Sequence, residues 1–149
     1  MPVSGPPWSA FGDAARRHHA DARALSELGR HGNADHLAGV AAECGLKAII
    51  VEHLGGVVTP TGKPKHTLAQ DKLGHLPDLW DQMPLVARGR NGAQFVELIT
   101  DENPFSRWDV SERYSDGTHI TATRAAEHLA SAARIIAIHE RATIDGALP

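Results

Sequence analysis

The chain has 149 residues, a net charge of −3 with histidines neutral, and a composition that is 42% hydrophobic and 5% aromatic. That length suits one domain with a real hydrophobic core. The slight acidity excludes bulk electrostatic attachment to nucleic acid but leaves room for a local basic patch. Few aromatics and abundant alanine favour close-packed helices over a β-sandwich.

Residues 1–8 hold three prolines and a glycine and read as a loose arm, with Trp8 or Phe11 pinning its end. The stretch MPVSGPPWSAF lacks the basic and apolar regions of a signal peptide. Ser9 is a candidate N-cap for a helix from about Ala10, although Gly12 weakens its first turn. Phe11, Ala14, Ala15, Ala22, Leu25 and Leu28 form its inward side, and Gly29 ends it. The short link GRHG predicts an antiparallel helix pair.

The second helix, Asn33 to Leu54, is the centre of the chain. Asn33 caps it, and Asp35 complements the positive end of the helix. Leu37, Val40, Ala41, Cys44, Ala48 and Val51 recur at helical spacing, and Leu46, Ile49, Ile50 and Leu54 widen the stripe. More than one neighbour must therefore cover it. His36, Glu43 and Lys47 are spaced seven and four, which puts them on one face. Two readings stay open for this row: a Glu43–Lys47 pair at the edge of a bundle helix, or the lining of a pocket or interface. Cys44, the single cysteine, sits in the apolar pattern and cannot form an internal disulfide. A reducing, cytoplasmic setting is expected.

Gly55-Gly56 stops that helix. Residues 57–77 form a long loop with a helical turn expected at Thr67 to Leu73. Lys63, Lys65, His66, Lys72, Arg88 and Arg90 are candidates for a loop-borne basic patch that would suit an RNA backbone. A third helix opens at Pro77 with Leu79, Trp80, Met83 and Val86 inward, and Pro84 should shorten or kink it. AQFVELI reads as helical with Phe95, Leu98 and Ile99 inward. Residues 101–118 are an irregular segment packed by Phe105, Trp108, Val110 and Tyr114. A last long helix is expected from Thr118 to Arg141. Ala122, Ala126, Leu129, Ala133 and Ile136 form its buried stripe, widened by Ile120, Ala125 and Ala137. The expected organisation is an arm, a helical domain over 9–142 and a flexible tail over 143–149. No apolar run reaches membrane-spanning length.

The ten histidines raise the question of metal binding, but there is no His-Glu-x-x-His, no Cys-x-x-Cys and no pair of Glu-x-x-His helices. The sequence indicates no metal site and no cofactor.

The fold class is all-α: a bundle of four to five helices with a long antiparallel pair, an irregular middle and a long C-terminal helix. The run Ala34-Asp35-His36-Leu37-Ala38-Gly39-Val40-Ala41-Ala42-Glu43-Cys44-Gly45-Leu46-Lys47-Ala48 resembles the second helix of the HEPN superfamily, and Glu112-Arg113-Tyr114-Ser115 resembles the Arg-Tyr start of several HEPN branches. The resemblance implies a homodimer and, in many members, a metal-independent endoribonuclease of toxin or defence type with an Arg-x4–6-His motif near the last helix. Arg113 and His119 fit that spacing. His119 would move the proton at the ribose 2′-hydroxyl or leaving oxygen, and Arg113 would hold the phosphate. Tyr114 departs from the small polar residue usual in active members. Arg-Tyr branches include silent modules that bind a nucleotide or a partner protein, such as an antitoxin. Both readings, cleavage of RNA and binding without cleavage, follow from the resemblance.

Overall fold

The computed structural model describes residues 10–88, 92–96, 98 and 102–147. Trp8, Ser9, Arg90 and Ile99, singled out from the sequence, lie outside the described residues. The architecture is all-α. Helix α1 spans Phe11–Glu27, α2 His31–His53, α3 Asp78–Val86 and α4 Ala122–Ala147. Between them lie a two-stranded antiparallel ladder, β1 (Val57–Val58) with β2 (Pro64–Lys65), and 3-10 turns at Thr67–Ala69, Gly92–Phe95 and Val110–Tyr114.

The link between α1 and α2 is three residues long because Gly29 takes a positive φ of 76°. That conformation lets Arg30 N–H reach Leu25 O at 2.9 Å and Gly29 N–H reach Ser26 O at 3.0 Å, which closes the α1 carbonyls. The chain reverses, and α2 packs along α1 on one side and α4 on another. Ala34, Ala38, Ala41, Ala42, Leu46, Ala48, Ile49 and Ile50 are fully buried. Of the stripe expected to lead, Ala41 and Ala48 are fully buried while Leu37, Val40, Cys44 and Val51 are half-buried; every member of the second row is buried. Leu28, expected inward, is 71% exposed because α1 has already ended.

In α3, Leu79, Trp80, Met83 and Val86 are buried as expected, and the helix ends two residues after Pro84. Phe95, Leu98, Phe105 and Trp108 close the core from the irregular middle. Tyr114 does not join them; it is 78% exposed. The loop after α2 holds more order than its composition suggests. A turn over Thr59–Gly62 closes the β1–β2 hairpin, with Thr59 N–H donating to Lys63 O at 2.8 Å. His66, placed in a basic patch by the sequence, is buried instead. Its Nε2–H donates to Leu54 O at 2.7 Å and its Nδ1 accepts from Leu68 N–H at 3.0 Å, so it ties the loop to the end of α2.

The final helix starts later and is rotated relative to expectation. Thr118 is held in a turn by Asp116, whose Oδ1 accepts from its N–H and its hydroxyl. Thr121 Oγ1 accepts from Arg124 N–H at the true start. The buried seam is Ala125, His128, Ala132, Ile135, His139 and Ala142, with Ile136 beside it. Ala122, Ala126, Ala133 and Ala137 face outward. The helix also continues to Ala147, past Arg141. Among the described residues no helix is long and apolar enough to cross a membrane.

Candidate functional site

Asp35, expected to complement the positive end of α2, is fully buried. Its Oδ1 accepts from His128 Nδ1 of α4 at 2.5 Å, and its backbone carbonyl accepts from Trp108 Nε1 at 3.0 Å. The Arg124 guanidinium lies 3.8 Å from Oδ2. Arg124 also donates to Glu112 Oε1 at 2.8 Å and to the carbonyl of Arg107. The Trp108 ring is stacked with that of His36, 5.8 Å between centroids. These residues come from α2, the segment 107–112 and α4, and together they bind the irregular segment to the bundle.

Asp35 and Glu112 face each other inside this cluster. Burial pushes Glu112 up to about 8, helped by the hydrogen bond and charge of Asp35, with Arg124 opposing. Burial would raise Asp35 too, but hydrogen bonds from His128 and Glu112 and the charges of His128 and Arg124 hold it below the usual carboxylate range. A proton shared by the two carboxyls is therefore expected on Glu112 rather than on Asp35.

The linkage has opposite signs at the two sites. A raised Glu112 stabilises the fold fully below its ordinary value, and that stability is lost as pH rises toward about 8. A lowered Asp35 contributes stability above its ordinary value that is lost in acid. The expected result is a urea midpoint that falls as pH rises from mildly acidic to about 8 in the wild type. Glu112→Gln should flatten that alkaline limb. Superimposable pH profiles for the two proteins would refute the shared proton.

Above this cluster lies an open polar groove of about 410 Å³, at the N-terminus of α2. Arg30, His31, Gly32, Glu112, Arg113 and Asp116 are among its lining residues. Gly32 and Gly117 allow the turn to sit against the helix: a Cβ on Gly32 would come within 3.3 Å of Gly117 Cα. No side chain caps the start of α2, so its first N–H groups and the positive helix end face this region. Among the described residues, His31 Nδ1 is buried without a hydrogen-bond partner. Arg30 and Arg113 line the groove together with Asp116, while Glu112 is engaged by Arg124 at 2.8 Å. The arrangement can hold a phosphate-sized anion.

The residues proposed from the sequence do not gather in one place. Arg113 lines the groove and its guanidinium stands 4.9 Å over the exposed Tyr114 ring. His119 is exposed and is not among the groove-lining residues. Asp116, lowered by its hydrogen bonds to Thr118 and by the charge of His119, stands between them in the chain. His36 is close enough to Arg113 to feel its charge; burial and that charge hold the imidazole below its ordinary value. Glu43 and Lys47 belong to another cluster, where Glu43 accepts from Lys47 Nζ and His75 Nδ1 at 2.9 Å and from Leu76 N–H at 3.0 Å. That carboxylate ties the entry of α3 to α2. Lys63 and Arg88 are exposed and Lys65 half-buried, and none of the three lines the groove.

Two features escaped the sequence reading. One is the Asp35–Glu112–Arg124–His128 cluster. The other is a set of metal-type side chains at the far end of α2: Glu52, His53 and His139. No family model, curated protein or solved structure matches this chain.

Proposed function

We propose that the protein is a HEPN-like module that binds a phosphate group of RNA or a nucleotide in the groove at the start of α2. The observation that carries this reading is the convergence of Arg30, His31 and Arg113 on the uncapped N-terminus of α2. The HEPN-like part draws support from the element order, a long antiparallel pair, an irregular middle and a long last helix. Arg113 is the phosphate clamp, and Tyr114 beside it offers a stacking face to a base.

A second reading keeps cleavage. His119 is exposed six residues after Arg113, on the next turn of the chain, and this reading requires a homodimer in which one copy's His119 approaches the other's groove. In that form the protein is a metal-independent endoribonuclease, of the kind found in toxin–antitoxin and defence systems. Arg113 would stabilise the charge on phosphate and His119 would transfer the proton.

Both readings are tested with a labelled RNA oligonucleotide and with total RNA, in EDTA. Arg113→Ala should weaken binding by about tenfold to a hundredfold, the loss of a charge-assisted hydrogen bond. Lys63→Ala, remote from the groove lining, should bind as wild type. No binding by the wild type, or equal binding by Arg113→Ala, would remove the assignment. Degradation of total RNA by wild type and not by His119→Ala would establish the cleaving form.

A further inference from the structure

The last two residues of α2, Glu52 and His53, meet His139 of α4 on the side of the bundle where α1 begins. Glu52 Oε2 accepts from His139 Nε2 at 2.9 Å. The His53 and His139 rings lie 5.9 Å apart at 59° to each other. One ligand atom from each of the three residues lies within 4.8 Å of the other two. The geometry points to a divalent transition-metal site, with zinc as the best-matched ion, held by Glu52, His53 and His139.

The donor set fits that ion. Two imidazoles and one carboxylate are a common three-ligand set for zinc, which leaves a fourth position for water or another ligand. Ligand atoms around tetrahedral zinc stand roughly 3.3 Å apart, given bonds of about 2.0–2.2 Å. The Glu52–His139 pair is already at 2.9 Å. A small rotation of His53, whose Nε2 now lies 3.3 Å from Thr143 Oγ1, completes the set.

Three further observations favour a cation here. The site sits at the C-terminal, negative end of a 23-residue helix. His139 is 5% exposed and its ring rests on Gly12, where a Cβ would come 3.0 Å from Cε1. The first turn of α1 thus carries a helix-weakening glycine where a larger residue would push the imidazole away. The Glu52 side chain is 45% exposed, so the site is open to solvent. Arg16, whose charge reaches Glu52, is itself paired with Asp13 and lies 3.6 Å from Glu140.

This site is independent of the phosphate groove. The two lie at opposite ends of α2, roughly 30 Å apart at 1.5 Å per residue. The test is a calorimetric titration of EDTA-stripped, re-dialysed protein with Zn²⁺, paired with thermal melting. Wild type should take up one Zn²⁺ per chain and melt at a higher temperature when loaded. His53→Ala, which leaves the Glu52–His139 bond in place, should bind at least about tenfold more weakly. Glu52→Gln, a surface change that preserves the fold, should do the same. No uptake by wild type would leave Glu52–His139 as a plain hydrogen bond and overturn the site. Uptake unchanged in both variants would put the metal elsewhere and overturn it equally.

Discussion

Asp35→Ala is expected to lower the free energy of unfolding by about 3–5 kcal/mol, the cost of breaking a buried charged pair from one side. Asp35 is fully buried and meets His128 Nδ1 at 2.5 Å and Arg124 at 3.8 Å. Alanine removes the acceptor and leaves His128, itself buried, with a donor facing a cavity. Part of the loss is recovered locally. Glu112 no longer faces a second carboxylate, so it can ionise and pair with Arg124, which already donates to it at 2.8 Å. The lower end of the range is therefore favoured at neutral pH. Urea unfolding followed by circular dichroism measures the effect. A loss below about 1 kcal/mol, the scale of an exposed ion pair, would show that the cluster is solvated.

Gly39→Ala should be comparably damaging, by about 3 kcal/mol or more, through overpacking. A Cβ at residue 39 would stand 1.9 Å from Trp108 Cε2 and 2.1 Å from Nε1. The indole has no room to retreat, being fully buried, bonded to Asp35 O and stacked with His36. The sign of this result is the informative part. Glycine to alanine inside a helix normally stabilises by about 1 kcal/mol. Gly146, next to the end of α4 and with nothing else among the described residues within 4 Å of its would-be Cβ, should show a gain of the ordinary sign, reduced by its terminal position. If Gly39→Ala also stabilised the protein, the indole would not lie on α2.

Much of the frame was legible in the sequence because it is written locally. The α1–α2 pair follows from helical spacing around Gly29, and the inner face of α3 follows from Leu79, Trp80, Met83 and Val86. The face of α4 was misread because alanine lies on every side of that helix. Its true seam is filled in part by His128 and His139, polar residues that a search for apolar spacing passes over. The candidate site was harder still. His128 and Asp35 are 93 residues apart, and no spacing rule links them. Asp35 near a helix start has a sufficient local explanation, which concealed its burial. His36, Glu43 and Lys47 do share a face, as expected. Along the axis, however, His36 stands about two turns from Glu43, so it joins Trp108 while Glu43 joins His75 and Leu76. Arg113 and His119 are near in sequence, yet only Arg113 lines the groove.

The position of α2 between α1 and α4 also sets an order of assembly. Three residues join α1 to α2, whereas about 70 separate α2 from α4. Closing the longer loop costs roughly 3 kcal/mol more in chain entropy. The hairpin of α1 and α2 therefore gathers first and α4 docks late. Until it does, Asp35 and the flank of α2 that faces Ile135 stand bare. Neither half of the chain satisfies α2 alone, and this makes unfolding a single cooperative step in which the polar cluster at one end and the histidines at the other are lost together.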